Sequence, residues 1–108
     1  MREQIVTFIR TKQAGGLSEN TLRAYESDLR EFEGFAKARS VGLGAFDVEL
    51  IREWLYLASQ AGAEKSTISR KTATIRSFGK FLFETGQLSH DPAAKLRTPK
   101  QSRALPQT

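Results

Sequence analysis

An all-α fold is predicted for this chain of 108 residues on three observations. Apolar residues recur at steps of three and four in four separate stretches. No stretch alternates apolar and polar residues over a useful strand length. Gly-bearing segments fall where those stretches end, as helix stops should. The length suits one domain with a single modest core. An apolar share of 39%, with seven Phe and one Trp, supplies that core and argues against global disorder.

The first helix is expected over roughly Arg2–Gln13, with Ile5, Phe8, Ile9 and Lys12 on one side and Ala14-Gly15-Gly16 as its stop. Leu17-Ser18 opens the second, Ser18 serving as N-cap because its hydroxyl can accept from an otherwise unpaired first-turn amide. Leu22, Tyr25, Leu29, Phe32 and Ala36 then form a stripe, while Glu26/Arg30 and Glu33/Lys37 stand four apart on the wet side. Val41–Phe46 reads as a loop. Its G-x-G follows no strand and precedes no GK[ST], so it is no phosphate cradle.

Asp47 is expected to cap a third helix built on Ile51, Trp54, Leu55 and Ala58, with Leu50 and Leu57 widening its apolar face. Trp54 reads as core rather than as a base-stacking platform. The fourth helix is capped by Ser66 and runs to Thr85 before Gly86, with Leu88 packing back against it. Ile68, Thr72, Ile75, Phe78, Gly79 and Leu82 gather on its inner face. Ser66, Ser69, Arg70, Ala73, Ser77 and Lys80 gather on the other, with Lys71, Thr74 and Arg76 on the flanks. Asp91 and Pro92 restart a short turn over Ala93–Leu96, and from Thr98 the chain reads as an extended linker.

Several function classes are excluded or disfavoured. No apolar run approaches the ~20 residues of a membrane span, and the opening MREQIVTFIR lacks a signal peptide's apolar centre. No cysteine is present, which rules out thiol nucleophiles and thiolate metal sites and fits a reducing cytoplasm. A single His, His90, beside a turn signal, makes no metal cluster. The acids read as helix pairs and caps, so no catalytic constellation, cofactor or metal is expected.

Charge is the informative signal. Residues 1–46 hold seven Lys/Arg against six Asp/Glu, residues 47–64 one against four, and residues 65–108 nine against two. The stretch KSTISRKTATIRSFGKF (65–81) has five cations, six hydroxyls and no acid. Helices built only for solubility mix signs, and Ser and Thr are mediocre helix-interior residues. Short hydroxyl donors beside Arg and Lys suit a phosphate backbone, and a slim face of this kind can enter a major groove. Duplex DNA is therefore the expected partner. The alternative is a small helical interaction module whose basic face docks an acidic protein.

LSENTLRAYESDLREFEGFA, then STISRKTATIRSFGKFL, and then DPAAKLRTPK…ALP, in that order and spacing, resemble the N-terminal domain of tyrosine recombinases of the phage-integrase superfamily, Xer-type. The resemblance implies a four-helix SAM-like bundle over 1–97, with 98–108 a linker toward a C-terminal catalytic domain that the chain lacks. In that family this domain is half of a C-shaped clamp on duplex DNA. The other half supplies the Tyr nucleophile with its Arg, Lys and His activators, and the protomers assemble as a tetramer on two sites. What is implied here is a cytoplasmic, nucleoid-associated domain that binds DNA for integration or recombination but performs no chemistry. Carried over residue by residue, the DNA-facing positions are Ser18, Asn20 and Thr21 on the second helix. On the fourth they are Ser66, Thr67, Ser69, Arg70, Lys71, Thr74, Ser77 and Lys80, with Arg70 first among them and Arg76 left between DNA and a pairing within the protein. Gly79 departs from the family's pattern, which favours a larger residue there.

Overall fold

The computed structural model describes residues 1–96. They form α1 (Arg2–Ala14), α2 (Glu19–Ala38), α3 (Val48–Gln60) and α4 (Lys65–Glu84), with one 3-10 turn at Leu43–Ala45 between α2 and α3. The expected linker over 98–108, with Arg97, lies outside the described residues. Among the described residues no strand occurs, and no helix is long and apolar enough to cross a membrane.

The caps follow the local chemistry. Ser18 Oγ accepts from the Thr21 amide at 3.2 Å and Asp47 Oδ1 from the Leu50 amide at 3.0 Å. Gly16, Gly62 and Gly86 follow three helix ends with φ of 94°, 99° and 80°, the left-handed turn that a side chain resists. Helix α4 differs from expectation. It opens at Lys65 with Glu64 at the N-cap and no side-chain cap bond, so Ser66 already lies inside the first turn. Glu33 also departs from its expected helix neighbour Lys37 and lies 3.7 Å from Arg2 of α1, while Glu26–Arg30 forms as expected at 3.0 Å. Helix α2 stops without glycine: Ser40 takes φ 57°, and the Val41 amide returns to the Ala36 carbonyl at 2.9 Å.

A continuous run of aromatic rings joins the four helices. Phe8 of α1 meets Phe78 of α4 edge-on at 5.4 Å between centroids, Phe78 stacks on Phe46 at 6.1 Å, and Phe46 lies 5.1 Å from Phe32 of α2. Phe32 in turn meets Trp54 of α3 edge-on at 5.1 Å. All five are buried, and offset or edge-on geometry suits the ring quadrupole. Ile5, Leu29, Ile51, Ile75 and Leu82 fill around them. Phe46, read as a loop residue, is the member that closes the run. Leu57, expected to widen the buried face of α3, is instead exposed.

At the end of α2, Arg39 lies over the Phe35 ring at 4.2 Å and donates from Nε to Glu53 Oε2 of α3 at 3.0 Å. That hydrogen bond holds the Glu53 carboxyl below the usual carboxylate range and Arg39 above the usual guanidinium range. The pair is solvent-exposed, so it orients the two helices more than it stabilises them.

Gly79 has a direct explanation. A Cβ there would stand 3.1 Å from Pro92 Cγ and 3.3 Å from Asp91 Oδ1. The turn at 91–96 therefore lies against α4 where the missing side chain of Gly79 leaves it room. Its own bonds fix it: the Ala93 amide donates to Asp91 Oδ1 at 3.0 Å, and Pro92, Ala93 and Leu96 are buried. A closely packed proline ring fills the space. We expect Gly79→Val to cost about 1–3 kcal/mol by overpacking against that ring, although valine is the better helix former. Thermal unfolding of the variant checks this, and an unchanged or raised midpoint contradicts it.

Candidate nucleic-acid interface

The candidate surface is built on α4. One side of the helix is committed to the core: Thr72, Ile75, Phe78, Gly79 and Leu82 are all buried. The opposite side presents Ser66, Ala73 and Lys80 to solvent, with Ser69 and Ser77 half-buried beside them. No carboxylate interrupts the helix between Lys65 and Phe83. Only Glu84, 3.9 Å from Lys80, balances its far end.

Between these two sides lies a charged cluster that was not foreseen. Its centre is Asp28 of α2, whose side chain is 1% exposed. Arg70 grips this carboxylate with two donors, Nε to Oδ2 at 3.1 Å and Nη2 to Oδ1 at 2.7 Å. The Thr74 hydroxyl stands 3.0 Å from Oδ2 and equally close to the Arg70 carbonyl. Lys71 Nζ reaches Oδ1 at 3.5 Å, pairs with Glu31, and lies 5.2 Å from the centre of the Trp54 ring. A buried carboxylate is tolerated only when its lone pairs are satisfied, and here α4 satisfies them within two helical turns. The hydrogen bonds Arg70 donates to Asp28 also raise its pKa above the usual guanidinium range, against a smaller opposing effect of burial. Arg70 is a cation throughout.

The eleven predicted contact residues therefore divide. Lys71 and Thr74 are buried and turned toward Asp28, so they hold α4 to α2 and do not reach a surface. Ser66 and Lys80 are exposed, and Thr67, Ser69 and Ser77 are half-buried along the same helix. Arg70 straddles the boundary: its side chain is 47% exposed while its fork is engaged inward. Arg76, placed between two roles by sequence, donates from Nη1 to the Leu96 carbonyl, which ties α4 to the 91–96 turn. At the start of α2, Asn20 is exposed, and the Ser18 hydroxyl lies 3.0 Å from that of Thr21. Thr21 precedes Asp28 by two helical turns, so it shares the α2 face that borders α4. Ser18, Asn20 and Thr21 make no hydrogen bond to α4 among the described residues.

His90 is exposed in the loop after α4, and among the described residues no group of acidic or His side chains could hold a metal. What the geometry offers is an anchored helix with an acid-free outward strip.

Comparison with known proteins gives this arrangement a family. Residues 6–86, which span all of α2, α3 and α4, match the model of the phage integrase N-terminal SAM-like domain. The chain belongs to that family. It is 38% identical over 91 residues to the tyrosine recombinase XerC of Mycobacterium bovis (strain BCG / Pasteur 1173P2), and equally so to that of Mycobacterium tuberculosis (strain ATCC 25177 / H37Ra). A XerC of Mycobacterium sp. (strain KMS) is 36% identical over 93 residues. These alignments cover 84% of this chain but only 30% or 31% of the relatives, so the chain spans about a third of their length. No solved structure matches. The domain is thus an N-terminal SAM-like domain of Xer type, and its all-helical architecture agrees with that family.

Proposed function

We propose that this domain grips duplex DNA for a site-specific tyrosine recombinase, as one half of a clamp, during DNA integration or recombination. The observation that carries the reading is the outward strip of α4, where Ser66, Ser69, Ala73, Ser77 and Lys80 face away from the core with no acid between Lys65 and Phe83. Hydroxyls and a small Ala let the helix approach closely, and cations at its edges meet phosphates. Ser18, Asn20 and Thr21 add backbone contacts from α2. Strand cleavage and rejoining belong to a catalytic domain that completes the clamp, and assembly with other protomers goes with it. The site of action is the cytoplasm, on nucleoid DNA.

The test is fluorescence anisotropy of the 108-residue chain with a labelled random-sequence duplex across a salt series. Each phosphate neutralised contributes about −0.9 to the slope of log K against log salt. For the exposed cations of α4 acting together the slope should be about −2 or steeper. A flat response, or no binding at low salt, removes the DNA reading and leaves an acidic protein as the partner of this face.

A further inference from the structure

We propose that Asp28 is a positioning residue for DNA: it clamps Arg70 by one edge of the guanidinium and presents the other edge as a preset fork for a backbone phosphate. This rests on the DNA-gripping role above and assigns a specific part in it to a carboxylate that DNA never touches.

A guanidinium has five N–H donors in one plane and two edges that each suit a bidentate acceptor. Asp28 takes the Nε–Nη2 edge, with bonds of 3.1 and 2.7 Å. Three N–H groups remain, two on Nη1 and one on Nη2, and none meets an acceptor among the described residues. The side chain is nevertheless 47% exposed at the border of the α4 strip, which leaves the spare edge a route to a phosphate. An unanchored surface arginine must give up rotamer freedom when it binds a phosphate. Arg70 has already given it up, because its partner carboxylate is buried and held by Thr74 and Lys71 as well.

Charge alone makes the opposite forecast. Asp28 and Glu31 against Arg70 and Lys71 sum to zero, so the cluster offers a phosphate little excess charge. What it offers is a donor pair in fixed geometry. Asp28→Asn would remove one negative charge and leave the cluster with a net positive charge, so a grip made only of charge would tighten. A positioned fork would weaken, because a neutral amide presents one oxygen and an NH2 group where Arg70 needs two acceptors.

The experiment measures affinity of the intact chain for a labelled random-sequence duplex in low salt, with thermal unfolding as the check on folding. The variants are D28N, R70A, R70K and the double variant D28N/R70A. The expected result is a loss of about tenfold for R70A and for R70K, a similar loss for D28N, and no further loss in the double variant, since Asp28 acts only through Arg70. R70K keeps the charge and loses the fork, a change that a purely electrostatic role leaves silent in binding, and an unchanged unfolding midpoint separates it from a merely structural one. Wild-type or tighter binding by folded D28N overturns the proposal, as does wild-type binding by folded R70K. Should D28N fail to fold, R70K decides by itself: a tenfold loss at an unchanged unfolding midpoint sustains the fork, and unchanged affinity or a loss that tracks destabilisation removes it. Absence of wild-type binding defeats the DNA role and this proposal together, whereas wild-type binding with an indifferent R70K defeats this proposal alone.

Discussion

Asp28→Ala is expected to lose about 3–5 kcal/mol of folding stability, the range for breaking a buried ion pair by removing one partner. The carboxylate is 1% exposed and receives Arg70 twice, with Thr74 and Lys71 close by. Truncation deletes the acceptor and leaves the donors. Arg70, half in solvent, can turn outward and recover water. Thr74 can fall back on the Arg70 carbonyl 3.0 Å away. Lys71 has no such escape, because its side chain is 8% exposed and, among the described residues, Glu31 is its only remaining carboxylate. Much of the cost should therefore sit on Lys71, and Asp28→Ala combined with Lys71→Met should recover part of it. Domains of this size have about 5–15 kcal/mol in total, so the single variant should lose a large share of its stability. Urea denaturation followed by circular dichroism measures the shift. A loss below about 1 kcal/mol would mean that water already satisfies the cluster.

The helices were legible because their signals are local. Ser18 and Asp47 accept from amides three residues away, and the stripe Leu22–Tyr25–Leu29–Phe32–Ala36 needs nothing but its own spacing. The charged cluster was less legible because it depends on a partner 42 residues distant. A trace of it was present nonetheless. Asp28 follows Tyr25 by three and precedes Phe32 by four, which sets it at the edge of the buried stripe. Lys71 follows Ile68 by three and precedes Ile75 by four, well inside the apolar face of α4. Two opposite charges, each at a core-facing position on a different helix, could have been paired on that ground. Its place on a flank of the helical wheel and the family resemblance point Lys71 to DNA instead. Phe46 and Gly79 lacked even that trace, since a loop aromatic becomes core and a helix glycine becomes a seat for Pro92 only through tertiary contact.

The cluster also changes what the basic stretch means. Of the five cations from Lys65 to Lys80, Lys71 neutralises buried acid, Arg76 holds the 91–96 turn, and Arg70 is half committed. Only Lys65 and Lys80, at the two ends, are given wholly to the surface. The middle of the strip is Ser69, Ala73 and Ser77, small and weakly polar. A face with charge at its ends and short side chains between suits close approach of a groove floor, with the phosphates met at the rims.

Phe78→Ala should be the most damaging change to the core, at about 3–5 kcal/mol. Its ring is fully buried and is the link between Phe8 of α1 and Phe46 of the loop. Truncation removes the transfer energy of the ring and leaves a void walled by aromatic rings and by Ile75 and Leu82 of its own helix. Rings held on separate elements of the fold close such a space poorly, so the cavity cost persists. The position also decides function. Phe78 is what fixes the inner side of α4, and Ser77, next to it in sequence, belongs to the outward strip. Loosening the ring should therefore weaken DNA affinity along with stability, whereas Lys80→Ala should weaken affinity alone. Comparing the two variants by thermal unfolding and by duplex binding separates a helix that is held by the core from one that merely lies on it. Full affinity retained by a destabilised Phe78→Ala domain would show that the strip does not depend on this anchor.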